Sequence, residues 1–237
     1  PRQIHFQKLI KAYDKLSYDD LKRIKYDKKR DLPLYAPVAE NWDNIRLLSP
    51  QKYPKLADIL TAFNKWDGGA DIDNKQAAIF TLSAQYILKH LNKEGRLTVA
   101  GNLSEKVMVD ALKHAKKYLL KHFGSLEIEL GTLQKHVRGD KVYPIGGVSE
   151  SLATIYVEKY KKGMMQSIMG DSFILFASYG KDGVEKIETV NCYGASNHPD
   201  SPHYDDQMEM YLHQKQKLMT LDKEEIIKKA KKRYHPR

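Results

Sequence analysis

The sequence predicts an α+β protein: a helical first half, antiparallel strands in the second half, and helices again at the C-terminus. Two observations carry this expectation. Up to about residue 123 the apolar residues recur at three- and four-residue spacing, the period of one helix face. Beyond that point glycine and β-branched residues become frequent, and the apolar runs shorten and alternate as strands do. Helices, then strands, then helix is the order of an α+β chain.

The elements follow in sequence. Phe6, Leu9, Ile10, Tyr13 and Leu16 share one face of a first helix. Ser17 followed by Asp20 is a capping-box pair that opens a second, short helix through Leu21 and Ile24. Pro33 and Pro37 break the chain, a helix is expected over 38–48, and Ser49-Pro50 ends it. Helical period resumes over 55–66, and Asp67-Gly68-Gly69 is a turn. The strongest helix follows Asn74, with Ala78, Leu82, Ile87 and Leu91 on its apolar side. Ser104 opens another, carrying Val107, Ala111, Ala115 and Leu119. Strands are expected over 152–157, 172–179 and 184–191, the last two joined by the hairpin-type turn Gly180-Lys181-Asp182-Gly183. Residues 172–177 are apolar on both faces, as in a strand covered on each side. A loop rich in Gly, Asn, Pro and Ser spans 194–203, and Met208, Tyr211, Leu212, Lys215 and Leu218 mark one face of a final helix.

With 237 residues the chain can bury a core without covalent staples. Apolar residues at 41% and charged residues at 30% exclude a disordered tail, and no run approaches the ~18 apolar residues of a membrane span. No secretory signal is visible. The single cysteine, Cys192, excludes an internal disulfide and a multi-cysteine zinc site; it is expected to pack inside an apolar strand rather than act as a nucleophile. Forty Lys+Arg against thirty Asp+Glu give a net charge of +10, which favours polyanions at low salt. The lysines are nevertheless scattered among acidic residues, and the densest cluster, 228–233, suits a solvated helix end. No nucleic-acid motif is present, so a basic nucleic-acid binder ranks third among the function classes. The chain starts at Pro1 and helical periodicity begins within a few residues, from which a piece of a longer protein is expected.

The stretch 193–207 concentrates the residue types that do chemistry. His198, Asp200, His203, Asp205 and Asp206 fall within nine residues. These are metal-ligand types, but no helical His spacing is present and a Pro-rich loop would need ligands from elsewhere. The competing reading is a polar loop that caps the next helix, with Ser201 or the aspartates accepting backbone N–H bonds. No Gly-x-Ser-x-Gly elbow supports a Ser–His–Asp hydrolase. Asp140 reads as a turn residue, and Arg138 has the fork that holds a carboxylate. Composition and spacing alone yield no function.

Several segments together carry a resemblance. Gly170-Asp171-Ser172-Phe173, then Tyr193-Gly194-Ala195-Ser196, then Ser201-Pro202-His203-Tyr204-Asp205-Asp206-Gln207 resemble, in order and spacing, the C-terminal part of the penicillin acylase family. That family includes cephalosporin and acyl-homoserine-lactone acylases, all N-terminal-nucleophile hydrolases. Leu133 to Asp140 resembles the family's preceding segment, Trp66-Asp67-Gly68-Gly69-Ala70-Asp71 its Trp-Asp-Gly turn, and Arg2 with Phe6, Leu9 and Ile10 one of its helices. The resemblance covers essentially the whole chain, and the His203 to Gln207 block is its most specific piece.

The resemblance implies part of a four-layer αββα sandwich. It also implies a precursor that cleaves itself to expose a serine, with the serine's own α-amino group as base and an oxyanion hole built from a backbone N–H and an Asn side chain. Nucleophile and oxyanion Asn would both lie upstream of Pro1, so the chain corresponds to the C-terminal part of the large chain. Residues 1–123 would be its mainly helical part and 124–237 its strand-rich part with C-terminal helices, both in one domain continued upstream. Arg2 matches a family arginine near the oxyanion Asn, and Asp171 falls where cephalosporin acylases keep an acid that supports an active-site histidine. The competing readings are a helix-start arginine paired at the surface and a turn residue. His203, Tyr204, Asp205, Asp206 and Gln207 are expected to be structural. No cofactor or metal ligand is expected here, the family's calcium being held by residues upstream. The implied partners are the rest of the precursor and an acylated amide or lactam, with no nucleic acid and no membrane span, in the periplasm or outside the cell. A catalytically silent structural or binding domain on the same scaffold is the alternative.

Overall fold

The computed structural model describes residues 1–231, which divide into two compact units, Pro1–Gly170 and the unit that begins at Asp171. The protein is α+β. The change from helix to strand near residue 123 falls inside the first unit.

The first unit holds six α-helices: α1 (Arg2–Ile10), α2 (Tyr18–Lys25), α3 (Ala57–Asn64), α4 (Ala77–Lys93), α5 (Glu105–Phe123) and α6 (Leu130–Leu133). Its sheet contains β1 (Gln134–Arg138), β2 (Lys141–Pro144), β3 (Ile155–Lys159) and β4 (Met165–Gly170) in the order β2-β1-β4-β3. β1 runs parallel to β4, whereas β1–β2 and β3–β4 are antiparallel, so the expected all-antiparallel pattern has one exception.

Local chemistry accounts for the helices that were expected. The Ser17–Asp20 capping box forms, with Asp20 N–H on Ser17 Oγ (3.1 Å) and Ser17 N–H on Asp20 Oδ2 (3.0 Å). The Asn74 side chain accepts the N–H groups of Gln76 and Ala77 at the start of α4. Ser104 Oγ accepts Val107 N–H at the start of α5, and Gly124 closes that helix in the left-handed conformation. α4 and α5 pack together and bury Phe80, Leu82, Ile87, Leu91, Leu112 and Leu119. Trp42, Phe80, Trp66 and Phe63 stack in series, with centroids 5.8, 4.6 and 5.8 Å apart.

Four expectations in this unit need correction. α1 ends at Ile10, so Tyr13 and Leu16 lie beyond it; the helix buries His5, and its apolar residues are only half-buried or exposed. Residues 38–48 form a 3₁₀ helix over Trp42–Leu47 instead of an α-helix. Cross-links to residue 101 explain this: Glu40 N–H bonds Gly101 O, and Gly101 N–H bonds Pro37 O, holding the backbone in a non-helical path. β3 starts at Ile155 rather than 152, because Ser151 and Thr154 turn the chain back onto Val148 O. β1, β2 and β4 were not expected: their buried positions include Gln134 and His136, so no apolar alternation announces them.

The second unit contains β5 (Phe173–Gly180), β6 (Gly183–Asn191), α7 (Met208–Leu212), β7 (Lys217–Met219) and α8 (Lys223–Lys229). The strands form an antiparallel sheet in the order β5-β6-β7. The hairpin closes as expected, with Gly180 paired to Gly183 around Lys181-Asp182. The β5 strand is not covered on both sides. Ile174 and Phe176 are buried, but Phe173, Leu175 and Tyr179 stand 54%, 49% and 72% exposed. The helix expected through Leu218 stops at Leu212, because Gln214 adopts φ +57°, and β7 follows. Cys192 lies just past β6, half-buried, rather than inside a strand. α8 is capped by Asp222 and carries Lys228 and Lys229 in its last turn; Lys232 and Arg233 lie outside the described residues.

Candidate functional site

In the first unit, polar side chains gather at the start of α1, where three loops meet. The Trp-Asp-Gly turn folds on itself through Trp66 Nε1–H to Gly69 O (2.7 Å) and Gly69 N–H to Asp67 Oδ1 (2.8 Å). It also accepts Arg30 N–H on Gly68 O at 2.8 Å. Gly68 sits at φ +90°, and a Cβ there would stand 2.1 Å from Arg30 O, so only glycine lets the two backbones approach.

Arg30 is thereby drawn inside, 2% exposed. Its guanidinium lies 5.5 Å from the Trp42 ring and 5.9 Å from the Phe80 ring, and donates to Tyr35 O (2.6 Å) and Ser149 O (3.5 Å). Burial lowers its pKa to about 10, against the pull of Glu150, Tyr156 and Asp31. Glu150, at φ +65°, accepts Tyr156 O–H at 2.9 Å and lies 3.9 Å from Arg2 Nε. Burial first, then the Glu150 charge and hydrogen bond, push the Tyr156 phenol up to about 12. Tyr156 therefore stays a donor at neutral pH.

Arg2 is thus half-exposed and loosely paired with Glu150. One turn along α1, His5 bridges Asp31 (2.9 Å) and Asp27 (3.0 Å), and Lys8 reaches Asp31 at 2.7 Å. Burial raises the Asp31 pKa, but the bonds and charges of Lys8 and His5 outweigh it and leave the carboxyl below its ordinary value. A carboxyl so shifted adds stability above the unfolded value of ~3.9 and loses it as pH falls through the lower folded value. Asp31→Asn is therefore expected to lower the stability against urea at pH 7 and to flatten the loss of stability in acid. Urea midpoints of both proteins at pH 7 and pH 3 check this, and parallel acid losses would remove Asp31 from the account.

In the second unit, Asp171 is half-buried and stands two residues before the first residue of β5, Phe173. The block from Ser201 to Gln207 is folded against the end of β6. Buried Gln207 accepts Asn191 N–H on Oε1 (2.9 Å) and donates its own N–H to Tyr193 O (2.8 Å). Ser196 N–H bonds His203 O at 3.0 Å, and a Cβ on Gly194 would meet that oxygen at 2.1 Å. His203 Nδ1 contacts Asp206 Oδ2 at 2.8 Å in an exposed position. Ser201 Oγ accepts His203 N–H, while α7 has no side-chain cap, so the loop does not cap the next helix in the way the capping reading requires. Among the described residues no group of three His, Cys, Asp or Glu side chains is placed to hold a metal ion, and no helix is long and apolar enough to cross a membrane.

Sequence reasoning missed Arg30, Glu150, Tyr156 and the hydrogen bond between His136 and Ser167 (2.9 Å). Arg30 sits in the run Lys28-Lys29-Arg30, which looks like solvated charge; the nearby Trp-Asp-Gly turn was the available signal.

A family model described as penicillin amidase matches residues 1–228. No curated protein sequence is significantly similar to the chain. A solved structure of a thermostable penicillin G acylase from Alcaligenes faecalis is 14% identical, with a TM-score of 0.45 over 98% of this chain. The alignment takes in 51% of that acylase chain, so the present chain spans about half its length.

Proposed function

The chain belongs to the penicillin amidase family, and from that premise we propose that it is the C-terminal part of an amide hydrolase that splits an acyl group from an amine. The family match over residues 1–228 is the observation that carries the reading. The nucleophile is a serine upstream of Pro1, exposed by self-cleavage and activated by its own α-amino group. The oxyanion hole, a backbone N–H and an Asn side chain, also lies upstream. A family calcium would take its ligands there as well. The substrate is an acylated amide or lactam, and the protein works in the periplasm or outside the cell.

Within this scheme residues 1–231 supply wall and support. Arg2, steered by Glu150, orients active-site groups. Asp171 fixes the tautomer of an active-site imidazole. Asp171→Asn in the full polypeptide is then expected to lower kcat by about tenfold or more while leaving the thermal midpoint in place. An unchanged kcat would return Asp171 to the role of a turn residue. The hydrolase reading itself is tested by acid release from a phenylacetyl or fatty-acyl anilide, using the encoded polypeptide with its upstream residues.

A further inference from the structure

A groove of about 1060 Å³ runs through the first unit between one face of α4 and β3. Thr81, Ala84, Gln85, Leu88, Lys89 and Asn92 form its helical wall, and the consecutive residues Ile155 to Glu158 form the opposite one. β3 is the edge strand of its sheet, so one row of its backbone groups has no strand beside it. On that edge the Val157 carbonyl accepts the Gln85 side-chain amide at 3.0 Å, a side chain standing where a strand would pair.

Two hydroxyls in the wall lack partners. Thr81 Oγ1 and Ser149 Oγ are buried without a hydrogen bond, in residues 8% and 7% exposed. Buried polar atoms are normally satisfied. Dimensions select the missing partner. The α4 wall from Thr81 to Asn92 is about 16 Å long at 1.5 Å per residue. That is about the length of a five-residue strand at ~3.3 Å per residue, and β3 itself has five residues. Pro1 also lines the groove, so the first residue of the chain stands at its wall.

We propose that this groove seats a fifth strand of the sheet, contributed by the polypeptide immediately preceding Pro1. Its backbone would pair with the open edge of β3 and satisfy Thr81 and Ser149. Its alternate side chains would cover Ala84 and Leu88. Tethering at Pro1 gives this segment a large effective concentration over any free peptide or second copy. The inference rests on the reading of the chain as part of a longer acylase, but its test does not depend on catalysis.

The experiment compares hydrogen exchange of the β3 amides in the 237-residue chain and in the encoded polypeptide extended upstream. The extension is expected to slow exchange in β3 by about tenfold or more and to leave β2, the other edge, unchanged. Leu88→Glu should abolish the added protection; Ala84→Leu, which fills the same space, serves if the first variant fails to fold. Equal exchange in both chains overturns the proposal, as does an encoded polypeptide that begins at Pro1. Protection that rises with concentration in the 237-residue chain, with a dimer on sizing, assigns the groove to a second copy and also overturns it. Protection without amide hydrolysis sinks the hydrolase reading alone, and hydrolysis without protection sinks only the strand.

Discussion

The 237-residue chain by itself is expected to release no acid from a phenylacetyl or fatty-acyl anilide, while the encoded polypeptide does so at least ~10³-fold faster. Amide hydrolysis by this route needs a nucleophile, a base and oxyanion donors within hydrogen-bond reach of one carbonyl. The proposed assignment puts all three upstream of Pro1. What the first unit places near its start are groups suited to holding rather than attacking: Arg30 bound to backbone carbonyls, Tyr156 kept protonated by burial and by Glu150, and Arg2 facing that carboxylate. The assay is chromogenic amide turnover, with sizing of the same samples. Turnover by the short chain at the rate of the long one would put the active site within these residues. Ser167, 2.9 Å from His136, would then be the first side chain to replace.

Arg30→Ala is expected to cost about 3 kcal/mol, a fall in Tm of roughly 10 °C for a chain of this size. The substitution leaves the Tyr35 and Ser149 carbonyls without their donor and opens a void beside Trp42 and Phe80, two rings of the central stack. Arg30→Lys should lose an intermediate amount, because an ammonium cannot span two carbonyls or lie flat on a ring. Thermal and urea unfolding of the three proteins measure the series. An Arg30→Ala midpoint equal to the parent's would mean that neither the carbonyl bonds nor the ring contacts stabilise the fold.

Local signals made the helical core legible. Ser17 with Asp20, Asn74 and Ser104 act within one turn of themselves, and the apolar faces of α4 and α5 repeat with the helix period. The β5–β6 hairpin was legible for the same reason, since a two-residue turn joins strands adjacent in sequence. The family resemblance, too, rested on short contiguous blocks, and the Trp-Asp-Gly turn proved to be the backbone contact that draws Arg30 into the core.

The rest depended on partners distant in sequence. β1 joins β4 across about thirty residues beside the buried Gln134 and His136, and His136 bonds Ser167 of β4, so no hydrophobic pattern reports the pairing. The path over 38–48 was set by Gly101, the burial of Arg30 by Gly68, and the loose pairing of Arg2 by Glu150. By itself the sequence determined the faces of α4 and α5, the caps of α2 and α5, the hairpin and the family. Tertiary structure alone decided which charged residues left solvent and which strand edge stayed open, because burial of a charge and pairing of an edge are properties of what stands opposite, not of the residue itself.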